Sequence, residues 1–200
     1  EFGGSLENRA RFTMMVVEKI REYCGPNFII EARISWKEGM YDGYQLDESI
    51  EFCKMLEAHG VDLIQVSCGS LHFHDSTILS SPSWFDVGEG HNLEAAAEIK
   101  RHLQIPVGTV GACTDPVQIE QWLAEGKIDY VVMARALIAD PDLPKKAMHG
   151  RLEEIRPCLR CLSCMTGGYF NLPVHCSVNP QIGRDSNYRY AFLPAEKQRV

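Results

Sequence analysis

The chain has no apolar run that approaches the ~18 residues of a membrane span. Its first residues also lack the charged, apolar and small-residue order of a secretory signal. Positive charge is scarce, with 20 lysines and arginines against 27 aspartates and glutamates and a formal charge of −7. That balance argues against a nucleic-acid partner, whose phosphates require a basic face. These absences leave the cytoplasm as the expected compartment, with no membrane and no nucleic acid as partner. Length sets a further bound, because 200 residues make one domain or a piece of a larger one.

Cysteine, by contrast, is abundant: eight are more than a chain of this size needs. Cys24, Cys53, Cys68 and Cys113 are scattered among apolar neighbours and are expected as small buried hydrophobes. Cys158, Cys161, Cys164 and Cys176 are clustered in RPCLRCLSCMTGGYFNLPVHC, with the spacing C-x2-C-x2-C-x11-C. In a reducing compartment such a cluster marks a metal more often than disulfides. Zinc ribbons show two separated C-x2-C pairs, whereas three cysteines close together and one distant suit an iron–sulfur cluster better. Zinc stays as the alternative.

Apolar residues at Leu6, Ala10, Met14, Val17 and Ile20 have helical spacing, with Ser5 placed as an N-cap. After the Gly25-Pro26 break, residues 28–34 read as a strand. A helix over 46–59 follows, with Asp47 as its expected N-cap, and then a strand over 61–66. Residues 69–91 carry Gly, Ser, Pro and His without periodicity, a loop long enough to be functional. The pattern then repeats as helix 93–103, strand 107–110, helix 116–124, strand 128–133 and helix 140–149. Asp115, Pro116 and Gln118 stand where a capping box places an acceptor, an N1 proline and an N3 amide. Strands alternating with helices predict an α/β fold with a parallel sheet, either doubly wound or a (β/α)8 barrel. A barrel needs about 250 residues and eight strands. Four units preceded by a helix predict the C-terminal half of a (β/α)8 TIM barrel.

In a barrel, chemistry sits where strands end, and the last two strand ends often hold a phosphate. Gly111-Ala112 offers small residues that let backbone N–H groups approach an anion, and Ala134-Arg135 adds a cation. Read singly, Gly111 is an ordinary tight turn and Arg135 a surface ion pair; on adjacent strands they suit a phosphate. Arg33, at the tip of an apolar strand, either pairs with a carboxylate such as Glu31 or faces a cofactor that becomes anionic when reduced.

FGGSLENRARF, VGACTDP, MARALIADPDL and the cysteine run together resemble the iron–sulfur flavoprotein branch of the old yellow enzyme family, over nearly all of residues 1–185. EFGGSLENRARF is similar to the family's Y-G-G-S-x-E-N-R-x-R-F segment, with Phe2 in place of tyrosine, so it is read as native sequence rather than a cloning scar. The resemblance implies a fragment, with half a barrel ahead of it. Residues 1–150 would be the second half of an FMN-binding barrel and 151–185 a 4Fe-4S cluster segment. Residues 186–200 would begin a linker to a domain for FAD and NAD(P)H. It assigns Arg33 to the flavin pyrimidine ring. Gly111, Ala112, Ala134 and Arg135 go to the FMN phosphate, although Gly-Gly is commoner than Gly111-Ala112. Cys158, Cys161, Cys164 and Cys176 become the ligands of a 4Fe-4S cluster, one residue shorter than the commoner C-x2-C-x3-C-x11-C. GSLHFHDSTI is similar to a family segment whose histidine delivers the substrate proton. His74 matches through the acidic Asp75, with His72 as its rival. The implied activity is an NAD(P)H-dependent ene-reductase acting on a small unsaturated molecule, in a chain that forms a homo-oligomer. An oxidative amine demethylase is the alternative within the family, and a zinc-binding module the alternative outside it.

Overall fold

The computed structural model describes residues 2–38, 43–69, 88–170 and 173–183. They fall into two compact units, one up to Met133 and one from Ala134.

The first unit opens with α1, Leu6–Cys24. Its N-terminus is capped as expected, with Ser5 Oγ accepting from the Asn8 N–H at 3.4 Å. Ala10, Met14 and Val17 are the buried stripe. The helix runs four residues past the expected end and stops at Gly25, whose φ of 84° suits glycine. Strand β1, Glu31–Ser35, starts three residues later than expected. Phe28 and Ile29 stay exposed, and the backbone N–H of Ile30 donates to the Asp62 carboxylate at 2.7 Å. Helix α2, Leu46–Ala58, begins after Gln45, so Asp47 lies in the first turn and does not cap. Next come β2, Leu63–Ser67, α3, Leu93–Lys100, and β3, Val107–Val110. Helix α4, Pro116–Ala124, is capped as the sequence predicts, with Asp115 accepting from the Val117 N–H at 2.9 Å. Strand β4 is Tyr130–Val132.

The four strands pair in sequence order and all run parallel. Alternation along the strands gives the sheet two faces of different character. One carries Ile34, Ile64, Val66 and Val107, each 5% exposed or less, against helices that supply Leu56 and Ile99. Each such side chain contributes about 1.5–3 kcal/mol by leaving water. The register aligns Arg33, Gln65, Gly108 and Tyr130 on the opposite face. There the Tyr130 hydroxyl donates to Glu31 Oε1 at 2.8 Å. Its ring lies over Gly108, where a Cβ would stand 2.5 Å from Tyr130 Cε2. A parallel arc of this kind, with helices on one face only, is part of a (β/α)8 barrel.

The second unit departs from the expected single helix over 140–149. It has α5, Arg135–Ala139, then α6, Leu143–Met148, a 3-10 turn, Leu152–Glu154, and α7, Ser163–Tyr169. Asp140 ends the first of these and is 1% exposed. It accepts from Lys146 Nζ at 2.6 Å and from the backbone N–H groups of Arg156 at 2.9 Å and Asp142 at 3.1 Å. Asn179 Nδ2 donates to the Ile138 carbonyl at 2.8 Å. The Asp140–Arg156 and Asn179–Ile138 bonds tie these helices to the cysteine segment within the second unit. Among the described residues no helix is long and apolar enough to cross a membrane.

Candidate functional site

Gly111-Ala112 follows the C-terminal end of β3, whereas Arg33, expected at a strand tip, is the middle residue of β1, which runs on to Ser35, and is level with Gly108. Arg33 is exposed on the face away from the helices, and its Nη2 donates to Ser67 Oγ at 3.2 Å. Glu31 takes the Tyr130 hydroxyl instead, and among the described residues no carboxylate pairs with Arg33. Glu31, the carboxylate named for the ion-pair account, is thus engaged elsewhere.

After β3 the backbone enters the left-handed region twice, at Gly111 (φ 122°) and at Ala112 (φ 52°). A side chain at Gly111 would collide with the His91 imidazole and stand 3.0 Å from Asn92 Nδ2. The chain passes this close only because the residue is glycine, so the tight-turn reading and the cradle reading make the same demand here. The segment 89–92 braces the turn. The Glu89 carboxylate accepts from the Thr114 N–H at 2.7 Å and its hydroxyl at 2.6 Å. The Gly90 N–H donates to the Ala112 carbonyl at 3.3 Å. Asn92 Nδ2 donates to the Val110 carbonyl at 2.7 Å, and Asn92 Oδ1 accepts from Trp36 Nε1 at 2.9 Å. A sharp, small-residue turn at a strand end can admit an anion to its backbone N–H groups, as FMN phosphate requires.

In the second unit, Ala134 precedes α5 and Arg135 opens it. Arg135 Nη1 is buried and makes no hydrogen bond among the described residues, the state expected of a cation awaiting an anionic partner.

The cysteine segment holds four thiols outside any disulfide. The backbone turns left-handed at Arg160 (φ 55°) and Leu162 (φ 60°), between the first three cysteines. That turn brings the Arg160 N–H to Cys158 Sγ at 3.4 Å. Hydrogen bonding from Ser163 and then Ser177 pulls the exposed Cys161 thiol down to about 7. Burial pushes the Cys164 thiol up, the Arg135 guanidinium opposes it, and the Cys158 and Cys176 sulfurs add to the rise. Cys158 and Cys176 thus both act on Cys164, while Cys161 is turned toward two serines. Among the described residues no three His, Cys, Asp or Glu side chains stand together as metal ligands do. Four cysteine thiols fit an iron–sulfur cluster in kind, but they are not gathered as its ligands, and Cys161 bonds to two serines.

His74, His72 and Asp75 lie outside the described residues. Of the scattered cysteines, Cys53 and Cys113 are buried as expected and burial pushes both thiols up to about 12, whereas Cys24 is exposed. Glu89, Asn92, Trp36 and Asp140 are the supporting residues that sequence reasoning missed. A polar residue at a strand or helix end is too common for its type alone to signal such a role.

A parallel sheet with a cation on one strand and a left-handed glycine turn after another has the layout of a ligand-binding face of a (β/α)8 barrel. Comparison with known proteins makes this specific. Residues 1–154 match the NADH:flavin oxidoreductase / NADH oxidase family, and the chain belongs to that family. It is 40% identical to an NADH oxidase of Thermoanaerobacter brockii over all of this chain and 30% of that protein. It is 33% identical to a cinnamate reductase of Clostridium sporogenes over 94% of this chain and 30% of that protein. Among solved structures it superposes on a 2-naphthoyl-CoA reductase bound to 2-naphthoyl-CoA with a TM-score of 0.87. That match has 32% identity over 98% of this chain and 29% of the other. Histamine dehydrogenase from Rhizobium sp. 4-9 superposes with a TM-score of 0.81 and 37% identity over 91% of this chain and 26% of that one. The chain thus spans about 30% of the length of these curated relatives.

Proposed function

We propose that this chain is the FMN-facing part of an NAD(P)H-dependent ene-reductase that reduces the C=C bond of an activated alkene. The observation that carries the reading is Arg33: a cation with no carboxylate partner among the described residues, on a strand parallel to the one that ends in the left-handed Gly111-Ala112 turn. Relatives that are a cinnamate reductase and bilirubin reductases support an unsaturated substrate. FMN, when bound, supplies hydride for the β-carbon of the alkene.

The chain's own residues position and stabilise. Arg33 would hold the pyrimidine side of the flavin, where its fixed charge would favour an anionic ring. The turn at Gly111-Ala112 presents backbone N–H groups to the phosphate. Arg135 Nη1, buried without a hydrogen bond among the described residues, is the phosphate cation that the second unit would offer. His74 gives a proton to the α-carbon. Cys158, Cys161, Cys164 and Cys176 would hold a 4Fe-4S cluster that feeds electrons inward, and FAD and NAD(P)H are the expected suppliers. The cysteine chemistry and the likeness to histamine dehydrogenase support this part of the reading.

The test uses the full-length polypeptide prepared without oxygen. It should bind FMN, oxidise NAD(P)H and saturate a cinnamate-type enoate. Arg33→Ala should lower the FMN midpoint potential and weaken FMN binding. A full-length protein that binds no flavin, or an unchanged potential in Arg33→Ala, overturns the assignment.

A further inference from the structure

Asn92 sits at the N-cap of α3, yet its side chain makes no cap bond to that helix. Asparagine is among the preferred capping residues, and forgoing the bond leaves a helix N–H to find another partner. The side chain is 1% exposed and spends both ends of its amide elsewhere. Oδ1 accepts from Trp36 Nε1, three residues after Arg33 and just past the end of β1. Nδ2 donates to the Val110 carbonyl, the residue before Gly111, and stands 3.0 Å from the position a Gly111 Cβ would take. One buried amide therefore links the end of the strand that carries Arg33 at its middle to the turn proposed to hold the phosphate, across the strand between them.

From this geometry we infer that Asn92 is a positioning residue for FMN. It fixes the left-handed turn at Gly111-Ala112 so that its N–H groups face the phosphate, and it sets the separation of that turn from Arg33. The inference rests on the FMN reading above. An amide is the group this place requires, because one end must accept from an indole N–H and the other must donate to a carbonyl. Leucine fills the space and does neither. Aspartate accepts from Trp36 but sets an oxygen against the Val110 carbonyl.

Riboflavin keeps the isoalloxazine ring of FMN and lacks its phosphate, so the ratio of the two dissociation constants reports the phosphate site alone. The measurement is flavin titration, by fluorescence, of the full-length protein stripped of flavin. Wild type should prefer FMN strongly. Asn92→Leu should cut that preference by roughly tenfold or more, the scale of losing one or two buried hydrogen bonds. Its riboflavin affinity should fall by a smaller factor than its FMN affinity, and the apoprotein melting temperature should drop, because Trp36 Nε1 and the Val110 carbonyl lose a buried partner. Trp36→Phe keeps the ring, removes the N–H, and should cut the preference by a smaller factor. Should Asn92→Leu not fold, Trp36→Phe decides the matter alone. A wild type that does not prefer FMN to riboflavin refutes the phosphate site itself. A wild type that does, beside an Asn92→Leu or Trp36→Phe with the same preference, overturns the role given to Asn92. Equal loss of both flavins would mean that Asn92 only supports the fold, and overturns it too.

Discussion

At the scale of single residues, the turn after β3 sets two opposite demands on neighbouring positions. Gly111 has a φ of 122° and no room for a side chain against His91. Gly111→Ala should therefore destabilise the protein by about 1–3 kcal/mol in denaturant titration and lose FMN. Ala112 occupies the left-handed region with a φ of 52°, at a cost of about 1 kcal/mol in backbone strain. Ala112→Gly relieves that strain and loosens the unfolded chain. The two effects nearly offset, and stability should change by no more than about 1 kcal/mol with FMN still bound. This explains why the commoner Gly-Gly can be replaced here without losing the turn. His74 is tested through its half-reaction. His74→Ala should leave flavin reduction by NAD(P)H intact and slow reoxidation by the alkene by roughly 10²-fold, the scale of losing an acid. Normal reoxidation in His74→Ala beside a collapse in His72→Ala would move the role to His72.

At the scale of elements, periodicity located every described helix and strand of the first unit, because amphipathic spacing and capping act over a few residues. Ser5 and Asp115 were legible for that reason. Strand β1 was misjudged at its start because Phe28 and Ile29 look like strand residues but meet nothing to pack against. Helix α6 was expected over 140–149 and begins only at Leu143, whereas α5, five residues long, was not expected at all. Asp140 is drawn inward by Lys146 and by the Arg156 N–H, sixteen residues along the chain. Burial pushes its carboxyl up, but Lys146 and the two backbone N–H groups outweigh this and hold it below its ordinary value. A depressed carboxyl contributes stability that is present above its unfolded pKa of about 4 and is lost as pH falls through its folded value. Acid unfolding should therefore weaken the second unit below about pH 4, and Asp140→Asn should flatten that part of the stability–pH curve. Lys146→Met should cost about 2 kcal/mol at neutral pH, by leaving the buried carboxylate short of its charged donor.

At the scale of the whole molecule, the fold class was readable because a parallel sheet imposes the alternation of strand and helix on the sequence. The bracing of the candidate site was not readable, since Trp36, Asn92 and Val110 come together only through strand register. The cysteine spacing suggested a cluster, and iron analysis decides it. Full-length protein made anaerobically should carry about four irons at this site. Cys161→Ala should lose them while FMN remains, whereas stoichiometric zinc without iron would refute the cluster. The bond from Tyr130 to Glu31 also bears on how the first unit is bent. It joins the two outermost strands over the two between them. Neighbouring strands lie about 4.8 Å apart, so the three spacings measure about 14 Å along the sheet. A tyrosine and a glutamate can close that interval only as a chord under an arc. The hydrogen bond is thus a bowstring, and Gly108 is the notch that lets it lie low. Cutting the string with Tyr130→Phe, or raising it with Gly108→Ala, would let the arc open. The ends of β1 and β3, and with them Arg33 and the phosphate turn, would then move apart.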